Sequence, residues 1–301
     1  MAGALALLPG CQMLLFGVAM PFVYDEVPLP ASQVIRDIGY REGPDADPSK
    51  HRLDLLLPRA SAEPWPVVVF VHGGGWTSGD KDLRVGGADV YRNIGRYLAS
   101  RGVGTAVVSY RLQPEVGWQE QVEDVARAVA WVRAHVAHYG GDPEALFVMG
   151  HSAGGQLAVH VALDRWLAQE LGAGPVCGMI PVSGAGYDLS DDRTYELGAS
   201  RDYYEQRFRN GDAGDDWQRE ASPITRLREG APPALILYAE NDWAALHRQA
   251  ELLNAALRDV GASSRLLEIP HEDHYSIVLS LTRPDEPAAP AILDFIRNTS
   301  C

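Results

Sequence analysis

The chain has 301 residues, 46% of them hydrophobic and 22% charged, which excludes a mostly disordered protein; its 30 glycines show no period, which excludes a collagen-like one. The net charge of −14, from 26 basic and 40 acidic residues, opposes phosphate backbones and argues against a nucleic-acid partner. A chain of this length can bury a large core without staples, and the three cysteines (Cys11, Cys177 and Cys301) predict no disulfide framework. Cys301 reads as an exposed tail residue, with a reactive thiol as the sharper alternative.

Residues 1–24 form an apolar leader with no charge before Asp25 and no basic residue before Arg36. Gly3, Pro9, Gly10, Gly17 and Pro21 interrupt it, whereas a membrane-spanning helix needs about 20 uninterrupted apolar residues. The positive start of a secretory signal is missing. Leu8-Pro9-Gly10-Cys11 nevertheless resembles a bacterial lipoprotein processing box. Two readings stay open. In one, the protein is exported and tethered to a membrane through lipidation of Cys11 in a bacterial envelope. In the other, the leader is inert or truncated and the protein is cytoplasmic.

Residues 25–301 read as one α/β domain. Two extended runs, 34–40 and 51–57, flank a turn rich in Gly, Pro and Asp, so they predict a β-hairpin. Val67-Val68-Val69-Phe70-Val71 is a continuous apolar run, the signal of a strand buried on both faces. A helix is expected over 91–100 and a strand over 105–109. Val122, Val125, Val129, Val132 and Val136 recur at spacings of three and four, which predicts an amphipathic helix over 119–138. Then follow a strand over 146–149, an apolar helix over 154–163, and strands over 177–182 and 234–239. A helix marked by Leu246, Ala250, Leu253 and Leu257, a strand over 265–269 and a last helix over 291–297 complete the chain. This alternation implies a mostly parallel central sheet with helices on both faces, and right-handed crossovers bring the strand C-termini to one ligand-binding edge. Residues 187–222 lack strands and read as a small inserted cap; the stretch 188–216 holds nine acids against four arginines.

Gly150-His151-Ser152-Ala153-Gly154 fits G-x-S-x-G between a strand and a helix, the setting that lifts a serine hydroxyl above a sheet. His72-Gly73-Gly74-Gly75-Trp76 follows a strand, and its glycines let backbone N–H groups approach a developing oxyanion. Gly74 and Gly75, with Ala153, are the expected donors, and His72 is expected to pin the loop. A nucleophilic serine needs a base, and the base needs an orienting acid. Chain order and strand-end placement select Asp242 as acid, with Glu240 as competitor, and His274 as base, with His271 as competitor. His271-Glu272-Asp273-His274 is one residue too short for a helical zinc motif, and Asp212-Ala213-Gly214-Asp215-Asp216 lacks calcium-loop spacing, so no metal is expected.

These motifs, with Tyr110-Arg111-Leu112, Asp124, Gly141-Asp142-Pro143, Gly155-Gln156-Leu157-Ala158 and Ser222-Pro223, resemble α/β-hydrolases of the esterase/lipase type. The similarity is to the hormone-sensitive-lipase-like and feruloyl-esterase-like branches and spans about residues 34–298. The resemblance implies the α/β-hydrolase fold, no cofactor, and hydrolysis of small-molecule esters. Ser152 would attack the ester carbonyl, His274 take its proton and Asp242 hold the imidazole. Trp76, His151 and Trp243 are the candidates for lining the substrate pocket. Trp243 is bulkier than the residue relatives often carry there, and the cap matches little beyond its ends. The expected activity is cleavage of short- to medium-acyl carboxylic esters. Two alternatives remain: an amide hydrolase such as an arylformamidase or peptidase, and a non-catalytic binding module on the same fold. The acidic cap argues for soluble, non-anionic esters.

Overall fold

A computed structural model describes residues 24–209 and 216–301. The leader, with Cys11, and residues 212–215 of the acidic loop lie outside the described residues. Eight strands form one sheet: β1 (Val34–Gly39), β2 (Arg52–Leu56), β3 (Trp65–Val71), β4 (Gly104–Val108), β5 (Gly141–His151), β6 (Gly178–Val182), β7 (Ala234–Ala239) and β8 (Ser264–Ile269). Their spatial order is β1-β2-β4-β3-β5-β6-β7-β8. β1 and β2 form the predicted antiparallel hairpin, β2 runs antiparallel to β4, and every other pairing is parallel. The chain thus has the α/β-hydrolase architecture.

β3 shows why its sequence reads as unbroken hydrophobicity. Successive side chains of a strand point to opposite faces, and here both faces are covered. Val67, Val69 and Val71 enter one core layer, where they meet Val125, Val129 and Val132 of helix α2, which follows α1 (Val90–Ser100) and spans Trp118–His135. Val68 and Phe70 enter the other layer, with Val90, Ile94 and Leu98 of α1. Each such valine contributes about 1.5–3 kcal/mol on burial. The α2 stripe continues to Val136, which sits in a 3-10 turn, Val136–Tyr139. Helix α3 (Ala153–Leu163) is almost wholly buried, and its two polar side chains, Gln156 and His160, are hydrogen-bonded within the protein.

Among its described residues the segment between β6 and β7 contains three short α-helices: α5 (Asp192–Glu196), α6 (Arg201–Phe208) and α7 (Trp217–Glu220), after α4 (Arg165–Glu170) further up the chain. Asp191 and Ser200 cap α5 and α6 by accepting the N–H of Thr194 and Tyr203. Four of its acids are paired: Glu196, Asp192, Glu205 and Asp191 meet Arg193, Arg201, Arg209 and Arg248. The chain ends with α8 (Ala244–Asp259), α9 (Ile277–Ser280) and α10 (Ala288–Asn298). Among the described residues no helix is long and apolar enough to cross a membrane.

The expectation that no disulfide occurs, and that Cys301 is a plain or reactive tail residue, is corrected. Cys177 and Cys301 are disulfide-bonded, with their Cα atoms 4.7 Å apart. α10 packs back over the sheet, with Phe295 against Phe147 and beside Gly178, and so returns the chain terminus to the start of β6. The bond joins residues 124 apart in sequence. Closing so long a loop in the unfolded chain stabilises the fold by about 2–5 kcal/mol. Cys301→Ser is therefore expected to lower the unfolding free energy by about that amount in urea. Dithiothreitol should reproduce the loss in the wild type and leave the variant unchanged; equal stability of the two proteins would contradict the pairing.

Candidate active site

Parallel register brings five strand ends to one edge. Val71 pairs with Gly150, His151 with Val182, Val182 with Leu237, and Ile269 with Ala239. The residues that follow these ends are the His72 loop, Ser152, Ser183, Asp242 and His274, so one edge collects the three residues expected as nucleophile, acid and base. Ser152 has φ 55° and ψ −122°, a conformation costing on the order of 1–3 kcal/mol that persists only when its surroundings impose it. Its N–H is held by the Val182 carbonyl at 2.9 Å. Gly154 is obligatory: a Cβ there would stand 2.3 Å from the carbonyl oxygens of both Val71 and His72. The elbow therefore packs directly against the loop that carries the glycine run.

His274 Nε2 lies 3.0 Å from Ser152 Oγ, and its Nδ1 lies 3.1 Å from Asp242 Oδ1. The Asp242 side chain is fully buried. Burial alone would push its carboxyl up, but the hydrogen bond and charge of His274, the Ser183 side chain and the Trp243 N–H hold it below the ordinary carboxylate range. An ionised Asp242 attracts the Nδ1 hydrogen and leaves the Nε2 lone pair to accept the serine hydroxyl. The competitors stand elsewhere. His271 is 93% exposed and Glu240 accepts its backbone N–H at 2.6 Å, so they pair with each other on the surface. Sequence reasoning missed Ser183, which ends β6 at φ 43° beside Asp242; nothing in its local pattern marks it.

The His72 loop is fixed from its carbonyl side. His72 Nδ1–H donates to the Gly73 carbonyl at 2.7 Å. The Gly74 carbonyl accepts from the N–H and hydroxyl of Ser78 at 3.0 and 2.8 Å. Because a trans peptide directs its N–H opposite its carbonyl, these bonds turn the N–H groups of Gly74 and Gly75 to the other side of the loop. Among the described residues neither N–H, nor that of Ala153, meets a hydrogen-bond acceptor. His72 stacks on Tyr110 at 4.3 Å, and the Tyr91 hydroxyl accepts the Gly73 N–H. Burial lowers the His72 pKa to about 4, so the ring is neutral and serves as a peg.

Of the three candidates for pocket lining, only Trp243 presents a surface. It is 42% exposed and lies over His274, with ring centroids 4.5 Å apart. Trp76 and His151 are both buried. Trp76 donates its indole N–H to Gln156 and packs edge-on against Phe208. His151 donates Nε2–H to the His274 carbonyl at 2.9 Å and so supports the base from below. Burial, and then the charge His274 acquires when protonated, lower the His151 pKa to about 3. Among the described residues three large hydrophobic side chains are exposed, and two of them, Trp243 and Tyr203, border this site.

The arrangement can deprotonate Ser152 and offer three N–H groups near it. A sequence profile of the alpha/beta hydrolase fold matches residues 68–278, and the chain belongs to that family. It is 34% identical over 242 residues to Esterase LipC of Mycobacterium tuberculosis, covering 78% of this chain and 58% of that protein. It is 29% identical over 267 residues to a probable isoprenylcysteine alpha-carbonyl methylesterase of Oryza sativa subsp. japonica, covering 83% of this chain and 59% of the relative. The chain thus spans about three fifths of the length of these curated relatives. Among solved structures, Esterase B of Lactobacillus rhamnosis superposes with a TM-score of 0.73 at 24% identity, over 96% of this chain and 90% of that one.

Three buried histidines make the fold acid-sensitive. His72, His151 and His160 have pKa values lowered to about 4, 3 and 3, chiefly by burial. Between those values and the ordinary 6.5, the unfolded chain binds protons that the folded one refuses, so stability falls as pH drops. Each histidine is expected to cost about 2 kcal/mol at pH 5 relative to pH 7. Urea unfolding should show a lower midpoint at pH 5, and His160→Gln should flatten the dependence by about a third. Equal midpoints at the two pH values would contradict this.

Proposed function

We propose that the protein is a serine hydrolase that cleaves carboxylic esters with short to medium acyl groups. The observation that carries the reading is Ser152 Oγ at 3.0 Å from His274 Nε2, with His274 Nδ1 against the buried carboxylate of Asp242. Ser152 Oγ attacks the ester carbonyl while His274 takes its proton. The oxyanion so formed is stabilised by the N–H groups of Gly74, Gly75 and Ala153. Collapse breaks the bond to the alcohol, which leaves with the proton from His274. A water molecule then attacks the acyl-enzyme, gives its proton to His274, and Ser152 recovers it as the acid departs. Asp242 keeps the imidazole in the required tautomer and stabilises its cationic form.

The relatives, an esterase and a probable methylesterase, support ester cleavage. Exposed Trp243 and Tyr203 support a compact apolar substrate resting on aromatic faces. The disulfide favours the exported location over the cytoplasmic one, because cytosolic thiols are kept reduced.

Hydrolysis of p-nitrophenyl esters from acetate to palmitate tests the reading. Activity should peak at short chains. Ser152→Ala and Asp242→Asn should each lower kcat by about 10⁴-fold or more. A folded wild-type protein inert on all esters would overturn it; turnover of formamides or peptides instead would move the assignment to amides, and neither would leave a binding module.

A further inference from the structure

Gly75 is the loop glycine whose carbonyl is held from outside the loop, and its N–H is one of the three donors if Ser152 works as proposed. It sits at φ 60° and has no side chain to hold it there. Its neighbours on the loop are tied by the loop itself: the Gly73 and Gly74 carbonyls are occupied by His72 and Ser78, as described above. The Gly75 carbonyl is different. It accepts from Arg207 Nε at 3.1 Å, a residue 132 positions away on α6. Arg207 is itself held in place twice: its Nη1 donates to the Tyr203 carbonyl at 2.9 Å, and its guanidinium lies 3.4 Å over the Tyr203 ring. The Tyr203 hydroxyl in turn occupies the space where a side chain on Gly75 would begin, 2.5 Å from an ideal Cβ position.

α6 is docked firmly enough to act as a brace. Tyr204 and Phe208 pack on the buried indole of Trp76, the residue after Gly75. The Arg207 carbonyl accepts from Gln113 Nε2 at 2.9 Å, and the Gln113 N–H donates to the Trp76 carbonyl at 3.0 Å. The helix and the glycine loop therefore share one hydrogen-bonded frame.

We infer that Arg207 and Tyr203 are positioning residues for the reaction: they hold the Gly75–Trp76 peptide from outside and so, together with the Ser78 bonds to the Gly74 carbonyl, keep the Gly75 N–H donor aimed at the oxyanion. The inference rests on the proposed serine-hydrolase reading. It adds that the inserted segment is part of the catalytic frame and is more than a cover. Arg207 fixes the carbonyl end of Gly75, and the Ser78 bonds fix the amide plane before it, so rotation about both backbone bonds of Gly75 is restrained. The donor is thereby preorganised, and preorganised donors stabilise the transition state more than the bound ester. Loss of the brace should appear in kcat and leave KM nearly unchanged.

The test is a set of five variants assayed on p-nitrophenyl acetate, with kcat expressed per active site by titration with a phosphonate ester, and folding followed by circular dichroism. Arg207→Ala is expected to lower kcat about 10- to 100-fold, short of the full loss of an oxyanion donor, with KM within about twofold. Arg207→Lys should not restore it, because its charge lies one bond beyond the position of Nε. Gly75→Ala should be severely impaired by the collision with the Tyr203 hydroxyl. Tyr203→Phe removes that oxygen and leaves the ring carbon at 3.9 Å, so Gly75→Ala combined with Tyr203→Phe should be about 10-fold more active than Gly75→Ala alone. Recovery stays partial because an L-residue at positive φ remains strained.

Additive effects in the double variant, or an Arg207→Ala enzyme with unchanged kcat per titrated site, would overturn the inference while leaving the esterase reading intact. A purely structural brace would lower the melting temperature and the titratable fraction without changing kcat per site, and that outcome also counts against it. A folded wild type that neither hydrolyses the ester nor reacts with the phosphonate sinks both the inference and the reading on which it rests.

Discussion

Ser152 occupies a backbone conformation that an L-residue adopts only under compulsion, and the packing around it supplies the compulsion. β5 delivers the serine between two parallel neighbours, Val182 holds its amide, and Gly154 lets the elbow close onto the carbonyls of Val71 and His72. The strain is affordable because the sheet beneath is buried on both faces and fixes the register of every strand that ends at this edge. A slip of one residue would turn the side chains of a strand to the opposite face and displace its terminal loop. The same register that buries Val67 through Val71 therefore sets the distance between Ser152 and His274.

Around that turn, polar groups are held by neutral or ion-paired partners. His72 pegs the glycine loop as a neutral ring, and His151 holds the carbonyl of His274 in the same state. Their burial serves positioning at neutral pH and makes the frame vulnerable to acid. Asp242 is the exception, a buried carboxylate kept charged by hydrogen bonds because the base requires a counter-charge. The inserted segment reaches this loop through Arg207, whose Nε donates to the Gly75 carbonyl, and through the Tyr203 hydroxyl beside Gly75.

Much of this was legible in the residue pattern. Apolar runs such as Val67–Val71 mark strands because burial on both faces leaves no polar positions, and chain order then selects Asp242 and His274 over Glu240 and His271. Other features carry no local signal. The disulfide joins residues 124 apart, and only the return path of α10 brings them together. That helix begins at Ala288, three residues before the expected start, because Pro290 in a first turn costs no helical hydrogen bond. The short helices of the inserted segment were missed, although Asp191 and Ser200 are recognisable caps. Trp76 and His151 adjoin the motifs in sequence. Adjacency in sequence does not say which way a ring points, and both turn into the protein.

The central claim is that Ser152, and no other hydroxyl, is a nucleophile activated by His274. The most direct measurement is mass spectrometry of the protein after reaction with an alkyl p-nitrophenyl phosphonate. The account predicts one phosphonyl group per chain, on Ser152, with equal release of p-nitrophenol and no labelling of His274→Ala on the same timescale. Labelling at another residue, or reaction of Ser152 at the same rate without His274, would contradict it.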